Sequence, residues 1–231
     1  MLRVLKKPAV WYNDNSSMTG AKHRFLHDRR DGMETGKICL KQLDIRQAHE
    51  IYREHIVKDF PPDEVKPFEA IRSMYQRGCY EIYGAYTQEE LAAYAFFVTA
   101  EYEGKPVALL DYFAVPDGRR GKGLGTAVLR ELSPDRLRRE AILIENEKIE
   151  GVSGNEQKRI RKRRIEFYVR CGAVRTGVYS RLYGVDYEIL TLIRQGGSIG
   201  AQEVFALTQY IYHRMFPASW FPKLATVYCV D

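Results

Sequence analysis

Three glycines at alternate positions, Gly121, Gly123 and Gly125, are separated by Lys122 and Leu124 and preceded by Arg119 and Arg120. Without side chains at those positions, backbone N–H groups can close around an anion, and a helix start adds its dipole. An apolar run, Leu109–Val115, leads in through Pro116, and Leu124, Gly125 and Thr126 lead out into an amphipathic stretch. The chemistry on offer is a pyrophosphate cradle, with Arg119, Arg120 and Lys122 adding positive charge. Two other phosphate loops are excluded. No window reads Gly, four residues, Gly-Lys-Ser/Thr, and the glycines run G-x-G-x-G, not G-x-G-x-x-G.

Carboxylates and cations lie near this segment in sequence. Asp111 sits in the apolar run and shares strand parity with Leu109. Glu145 and Glu147 share parity on a later apolar stretch, so one face carries two acids, a pairing that favours a cationic ligand. Residues 158–164 hold six basic side chains in seven positions. On a helix, Arg161 and Arg164 fall seven and four residues before Tyr168, on the same side. The rest of that run reads as a solvated face. A nucleic-acid patch is disfavoured, since no aromatics interleave with the charges. The histidines show no H-E-x-x-H spacing and the four cysteines no C-x-x-C, so no metal and no disulfide framework is expected.

Positioning elements follow from periodicity and punctuation. Residues 1–36 read as a flexible basic leader, with a docked segment around Val4–Tyr12, and a domain starts near Lys37. Lys37–Leu43 reads as a strand. Asp44 and Gln47 form a capping box, and Ala48, Ile51, Tyr52, His55 and Ile56 share one helical face. A second helix starts by Pro67 and stops at Gly78. Tyr80–Tyr86, Leu91–Tyr102 and Val107–Val115 form an antiparallel meander. A helix over 123–133, a strand over Ala141–Glu147, a basic helix over 155–171 and a closing hairpin of 174–185 and 187–193 complete the domain. An additional helix spans Ala201–Phe216, and the aromatic tail 217–231 packs on the domain. The division is thus leader 1–36, domain 37–193 and C-terminal helix with tail 194–231.

The segment Arg120-Gly121-Lys122-Gly123-Leu124-Gly125 resembles motif A of the GNAT acyl-CoA N-acyltransferases, R/Q-x-x-G-x-G/A, filled by Arg120, Gly123 and Gly125. Phe113-Ala114-Val115-Pro116 is similar to the strand before that turn, and 163–172 resembles motif B, with Tyr168 shortly before Gly172. The element order β-α-α-β-β-β-α-β-α-β-β is also that of the family. The resemblance implies an α+β fold with a mixed, mostly antiparallel sheet flanked by helices, here with an extra C-terminal helix. It implies acetyl-CoA as cosubstrate and direct acetyl transfer to a primary amine of a small molecule or peptide. Phe113, Ala114 and Val115 would hold the pantetheine arm and polarise the thioester. Arg120, Gly121, Lys122, Gly123, Leu124, Gly125 and Thr126 would hold the pyrophosphate. From their shared helical side, independently of the resemblance, Arg161 and Arg164 could reach the coenzyme's phosphates or a substrate carboxylate.

Tyr168 matches the family's general acid. A phenol of pKa about 10 is a weaker acid than a thiol of about 8.5, so it needs help. Asp111, Glu145 and Glu147 are the candidates to collect the amine's proton. Two positions depart from the family: Arg161 stands where Asn is common, and Ala173 where Phe follows Gly. They keep a second reading open, an acyl-CoA-binding module without turnover.

Composition agrees with this reading. The chain has 231 residues, 45% of them hydrophobic, enough for one ample domain. Its net charge of +6 suits an anionic ligand. The longest apolar run, Ala92–Val98, is too short to span a membrane, and Met1–Asn13 has no apolar core of a signal peptide. A cytoplasmic enzyme is the expectation. Aromatic segments at 91–102 and 204–221 can pack within the chain or across a homodimer.

Overall fold

The computed structural model describes residues 37–62, 64–216 and 224–229. The expected leader and its docked segment at 4–12 lie outside the described residues, as does the tail over 217–223. Eight strands form one sheet in the order β1-β2-β3-β4-β5-β7-β6-β8. They are β1 (Cys39–Gln42), β2 (Tyr80–Thr87), β3 (Glu90–Tyr102), β4 (Lys105–Ala114), β5 (Ala141–Glu147), β6 (Val174–Leu182), β7 (Val185–Ile193) and β8 (Ala225–Cys229). Only β4 and β5 pair parallel; every other neighbouring pair is antiparallel.

The helices are α1 (Ile45–Ile51), α2 (Val57–Asp59), α3 (Phe68–Gln76), α4 (Leu124–Glu131), α5 (Pro134–Leu137), α6 (Asn155–Arg170) and α7 (Ala201–Met215). One face of the sheet packs against Ala48, Ile51, Ile71 and Met74 from α1 and α3, and Val204, Leu207 and Ile211 from α7. The opposite face packs against Leu124, Val128 and Leu129 of α4 and Ile165, Phe167 and Tyr168 of α6. The sheet is therefore covered on both sides. This explains why β3 is buried without a break from Ala92 to Ala100 instead of alternating.

The capping box at Asp44 forms as the sequence indicates, with the side chain accepting from the Arg46 and Gln47 N–H groups. The first helix is not one uniform α-helix, however. Tyr52–Ile56 is a π-turn that links α1 to α2. The tail also does more than pack: Ala225–Cys229 pairs antiparallel with β6, from Val178↔Cys229 to Leu182↔Ala225. Tyr228 stacks on Tyr179, with centroids 5.7 Å apart. Five residues of weak alternation were too short a signal for a strand.

Two irregularities shape the centre of the sheet. Between β3 and β4 the register steps from Phe96↔Tyr112 to Phe97↔Leu110, leaving Asp111 without an opposite residue. This β-bulge directs Asp111 and Tyr112 to one face and Phe113 to the other. Between β4 and β5 the pairing runs from Val107↔Ala141 to Leu110↔Ile144 and stops. Both strands continue, to Ala114 and Glu147, so they splay apart and their facing backbone edges go unpaired.

Candidate active site

The sequence-derived candidates lie on the two strands that splay and on the loop and helices that follow them. Past the end of β4, Gly123 caps α4 in the left-handed region at φ 72°, with no side-chain cap. The first turn of α4 thus presents N–H groups without intrahelical acceptors. Gly121, also at positive φ, precedes it. A Cβ on Gly123 would meet nothing within 4 Å, so the surface over these N–H groups is open. Gly121, Lys122 and Gly123 are exposed, whereas Leu124 and Gly125 are buried against the sheet. Burial pushes the Cys171 thiol up, and the neighbouring Thr126 side chain works in the opposite direction.

The arginines of this loop do something other than line a cradle. Arg119 donates to the Thr87 hydroxyl at 3.1 Å and pairs with Glu90. Arg120 turns inward: Nε donates to the Val115 carbonyl at 2.9 Å, Nη2 to Asp59 at 3.1 Å, and Nη1 lies 2.5 Å from Asp117. Tyr94 donates to the other Asp59 oxygen at 2.8 Å. Burial pushes the Asp59 carboxyl up, while Tyr94 and Arg120 hold it down. The Arg120 side chain therefore fixes the loop to α2. Lys122 keeps its ammonium at the surface.

On the α4/α6 side, Tyr168 is fully buried, packed edge-on to Phe167 at 5.0 Å, and Phe167 stacks on Phe113. Its hydroxyl has no hydrogen-bond partner among the described residues. Burial pushes the phenol well up, and the Arg164 guanidinium, one helical turn earlier, works in the opposite direction. Arg164 is itself only 1% exposed and lies 3.8 Å from Glu147. Arg161 donates to Glu147 at 2.9 Å and to the Lys148 carbonyl at 2.7 Å. Lys158, Arg159 and Lys162 are exposed. The basic run divides as helical spacing indicates.

The three candidate carboxylates have different surroundings. Asp111 is 2% exposed; one oxygen accepts from Lys66 Nζ at 2.6 Å and the other from Tyr80 at 2.5 Å. Burial lowers the Lys66 ammonium pKa and Asp111 counteracts it. Lys66 also anchors the loop before α3. Its N–H donates to Tyr112 Oη at 2.8 Å, and its carbonyl accepts from Tyr52 at 2.9 Å. Glu145, 5% exposed, accepts from the Tyr212 hydroxyl, which lies 2.8 Å from Ser180 Oγ. Glu147 faces Arg161 and Arg164. An acidic face drawing in a cation is therefore not what the side chains form, because Glu147 is matched by two arginines.

Lys66, Tyr80, Asp59 and Tyr212 were not singled out from sequence. Each meets its partner only through the tertiary fold.

Removing one partner of a buried ion pair leaves the other charge stranded. Asp111→Ala is expected to destabilise the protein by about 3–5 kcal/mol, and Lys66→Met with Asp111→Leu to recover most of that. Denaturant unfolding of the three proteins checks this; an unaffected Asp111→Ala would show the pair contributes nothing.

A splayed β4/β5 pair, a bulge beside it and a glycine-capped helix after it sit in a sheet covered by α1, α3 and α7 on one face and by α4 and α6 on the other, which is a GNAT fold. A family model described as the acetyltransferase (GNAT) family matches residues 45–173, more than half of the chain, and the chain belongs to that family of acetyltransferases. Among solved structures, a GNAT-family protein from Desulfovibrio desulfuricans has 23% identity and a TM-score of 0.50, covering 68% of this chain and 99% of its own. A GNAT-family protein from Bacteroides thetaiotaomicron has 18% identity and a TM-score of 0.57, covering 76% and 96%. Spermidine N-acetyltransferase from Vibrio cholerae, solved with CoA and spermine, has 12% identity and a TM-score of 0.49, covering 68% and 96%. The likenesses to the Desulfovibrio desulfuricans and Bacteroides thetaiotaomicron proteins are of fold. No curated protein matches the sequence. The helix α7 and strand β8 lie beyond the family match. Among the described residues, no helix is long and apolar enough to cross a membrane.

Proposed function

We propose that the protein is an acetyl-CoA-dependent N-acetyltransferase that acts on a primary amine of a small molecule or peptide by direct transfer in a ternary complex. One observation carries the reading: the buried Tyr168 hydroxyl, without a hydrogen-bond partner among the described residues, belongs to the same side-chain cluster as Phe113 and Ile144 of the two strands that part, and a glycine-capped helix start follows β4. The N–H groups from Gly121 to Thr126 would take the pyrophosphate. The unpaired β4 edge over Phe113, Ala114 and Val115 would take the pantetheine arm. A backbone N–H there, aimed at the thioester oxygen, is worth about 3 kcal/mol in such reactions. Acetyl-CoA supplies an activated acyl group, and no covalent acyl-enzyme is required, since co-binding amine and thioester supplies effective molarity.

Tyr168 gives its proton to the departing sulfur. Arg164 supports that transfer by stabilising the phenolate side of it. An alkylamine of pKa about 10.4 is almost wholly protonated at pH 7, so a base must collect a proton on the acceptor side. Asp111 could do so only by giving up Lys66 or Tyr80, and Glu147 only by loosening two arginines. Glu145, on the α7 face, would likewise have to release the Tyr212 hydroxyl, so the base is one of these three carboxylates or an ordered water. The test is a panel of small amines and peptide amines with acetyl-CoA, read by thiol release. Turnover with at least one amine is expected. Binding of acetyl-CoA without turnover on any amine would leave only the binding-module reading.

A further inference from the structure

The side chain of Asn146 is buried, 1% exposed, and neither its amide nitrogen nor its amide oxygen has a hydrogen-bond partner among the described residues. Buried polar groups in native proteins are bonded in nearly all cases, so an orphaned donor and acceptor on one side chain mark a missing partner. The position says where that partner comes from. Along β5, Ile142 and Ile144 pack in the cluster with Phe113, Phe167 and Tyr168, while Leu143 packs on the other face. Asn146 continues the Ile142/Ile144 row by strand parity. It lies two residues beyond Ile144, the last residue paired to β4, so it stands where the strands have parted. Its backbone is held on the far side by β7, opposite Glu188.

We infer that Asn146 is a further ligand-binding residue, whose carboxamide forms a two-point hydrogen bond with a secondary amide of the cosubstrate's pantetheine arm. The chemistry selects this class of group. A carboxamide offers a donor and an acceptor side by side, which a secondary amide matches. A phosphate would use only the donor, and an acyl chain would use neither. A peptide acceptor also carries secondary amides, but Asn146 belongs to the row facing α4 and α6, away from the face holding Lys66, Asp111 and Tyr212. The inference rests on the acetyl-CoA reading above.

The experiment uses the full chain, wild type, Asn146→Leu and Asn146→Asp, with two probes: CoA, and 3′-phospho-ADP, which keeps the cradle's phosphates and lacks the arm. CoA affinity is expected to fall at least about ten-fold in both variants, the loss of one net hydrogen bond, with 3′-phospho-ADP binding unchanged. The ligand-free melting temperature of Asn146→Leu should equal or exceed that of wild type, because an unsatisfied buried polar group is removed. A residue with only a structural role would lower it. Wild-type CoA affinity in Asn146→Asp, or equal loss of both probes, overturns the inference while leaving the acetyl-CoA reading intact. If wild-type protein binds neither probe, the acetyl-CoA reading itself fails.

Discussion

Tyr168→Phe is expected to lower kcat by about 10²–10⁴-fold, the usual contribution of a positioned acid, while acetyl-CoA affinity stays as in the wild type. The substitution removes one oxygen that bonds to nothing among the described residues, so packing against Phe167 survives. Removing an unsatisfied buried hydroxyl does not destabilise, and the melting temperature should hold or rise. The pH profile is a second signature. An acid works while protonated, and burial raises this phenol well above its ordinary value. Tyr168 therefore stays protonated at neutral pH and well into the alkaline range. The wild-type kcat should climb with pH as the amine and its base deprotonate, then level off with no alkaline fall from Tyr168 up to about pH 10. Stopped assays across pH with wild type and Tyr168→Phe decide the matter. Unchanged turnover in Tyr168→Phe would hand the proton to water and remove the acid role.

Gly123→Glu should abolish acetyl-CoA binding, with Gly123→Gln as its control. Both place a side chain at φ 72°, and both cost about 1–2 kcal/mol of strain for leaving glycine there. The space around the Cβ is open, so neither clashes. They differ in charge. The glutamate puts a carboxylate over the first-turn N–H groups of α4, where it competes for the donors and repels the pyrophosphate. At about 4 Å and an effective dielectric near 20, that repulsion is about 4 kcal/mol, on the order of 10³ in affinity. The thermal shift induced by acetyl-CoA should vanish in Gly123→Glu and persist, reduced, in Gly123→Gln. Equal shifts would mean that this helix start does not hold the anion.

Features carried by local chain geometry were legible in the sequence. Glycine spacing is a backbone property, so the sequence announced a glycine turn into α4, with Gly121 and Gly123 at positive φ. Helical period placed Arg161, Arg164 and Tyr168 on one side of α6, and the capping box at Asp44 needs only four residues. What could not be read depends on chain segments far apart. Lys66 meets Asp111 across 45 positions, and Arg120 meets Asp59 across 61. Tyr212 reaches Glu145 across 67. The orientation of Asp111 and Tyr112 depends on a one-residue bulge opposite Phe96 and Phe97, for which an unbroken apolar run gives no sign. Charge counting gives only part of the surroundings of Arg119 and Arg120. A sequence shows that cations flank the glycines, but only the fold shows that Glu90, Asp59 and Asp117 have already claimed them.

The measurement that bears most directly on the whole account is a calorimetric titration of the full chain with acetyl-CoA at near-physiological salt. Saturable binding in the micromolar range, with one site per chain, is the expected result. An absence of binding heat across several temperatures would contradict it, because neither the α4 cradle nor the β4/β5 splay would then be serving acetyl-CoA.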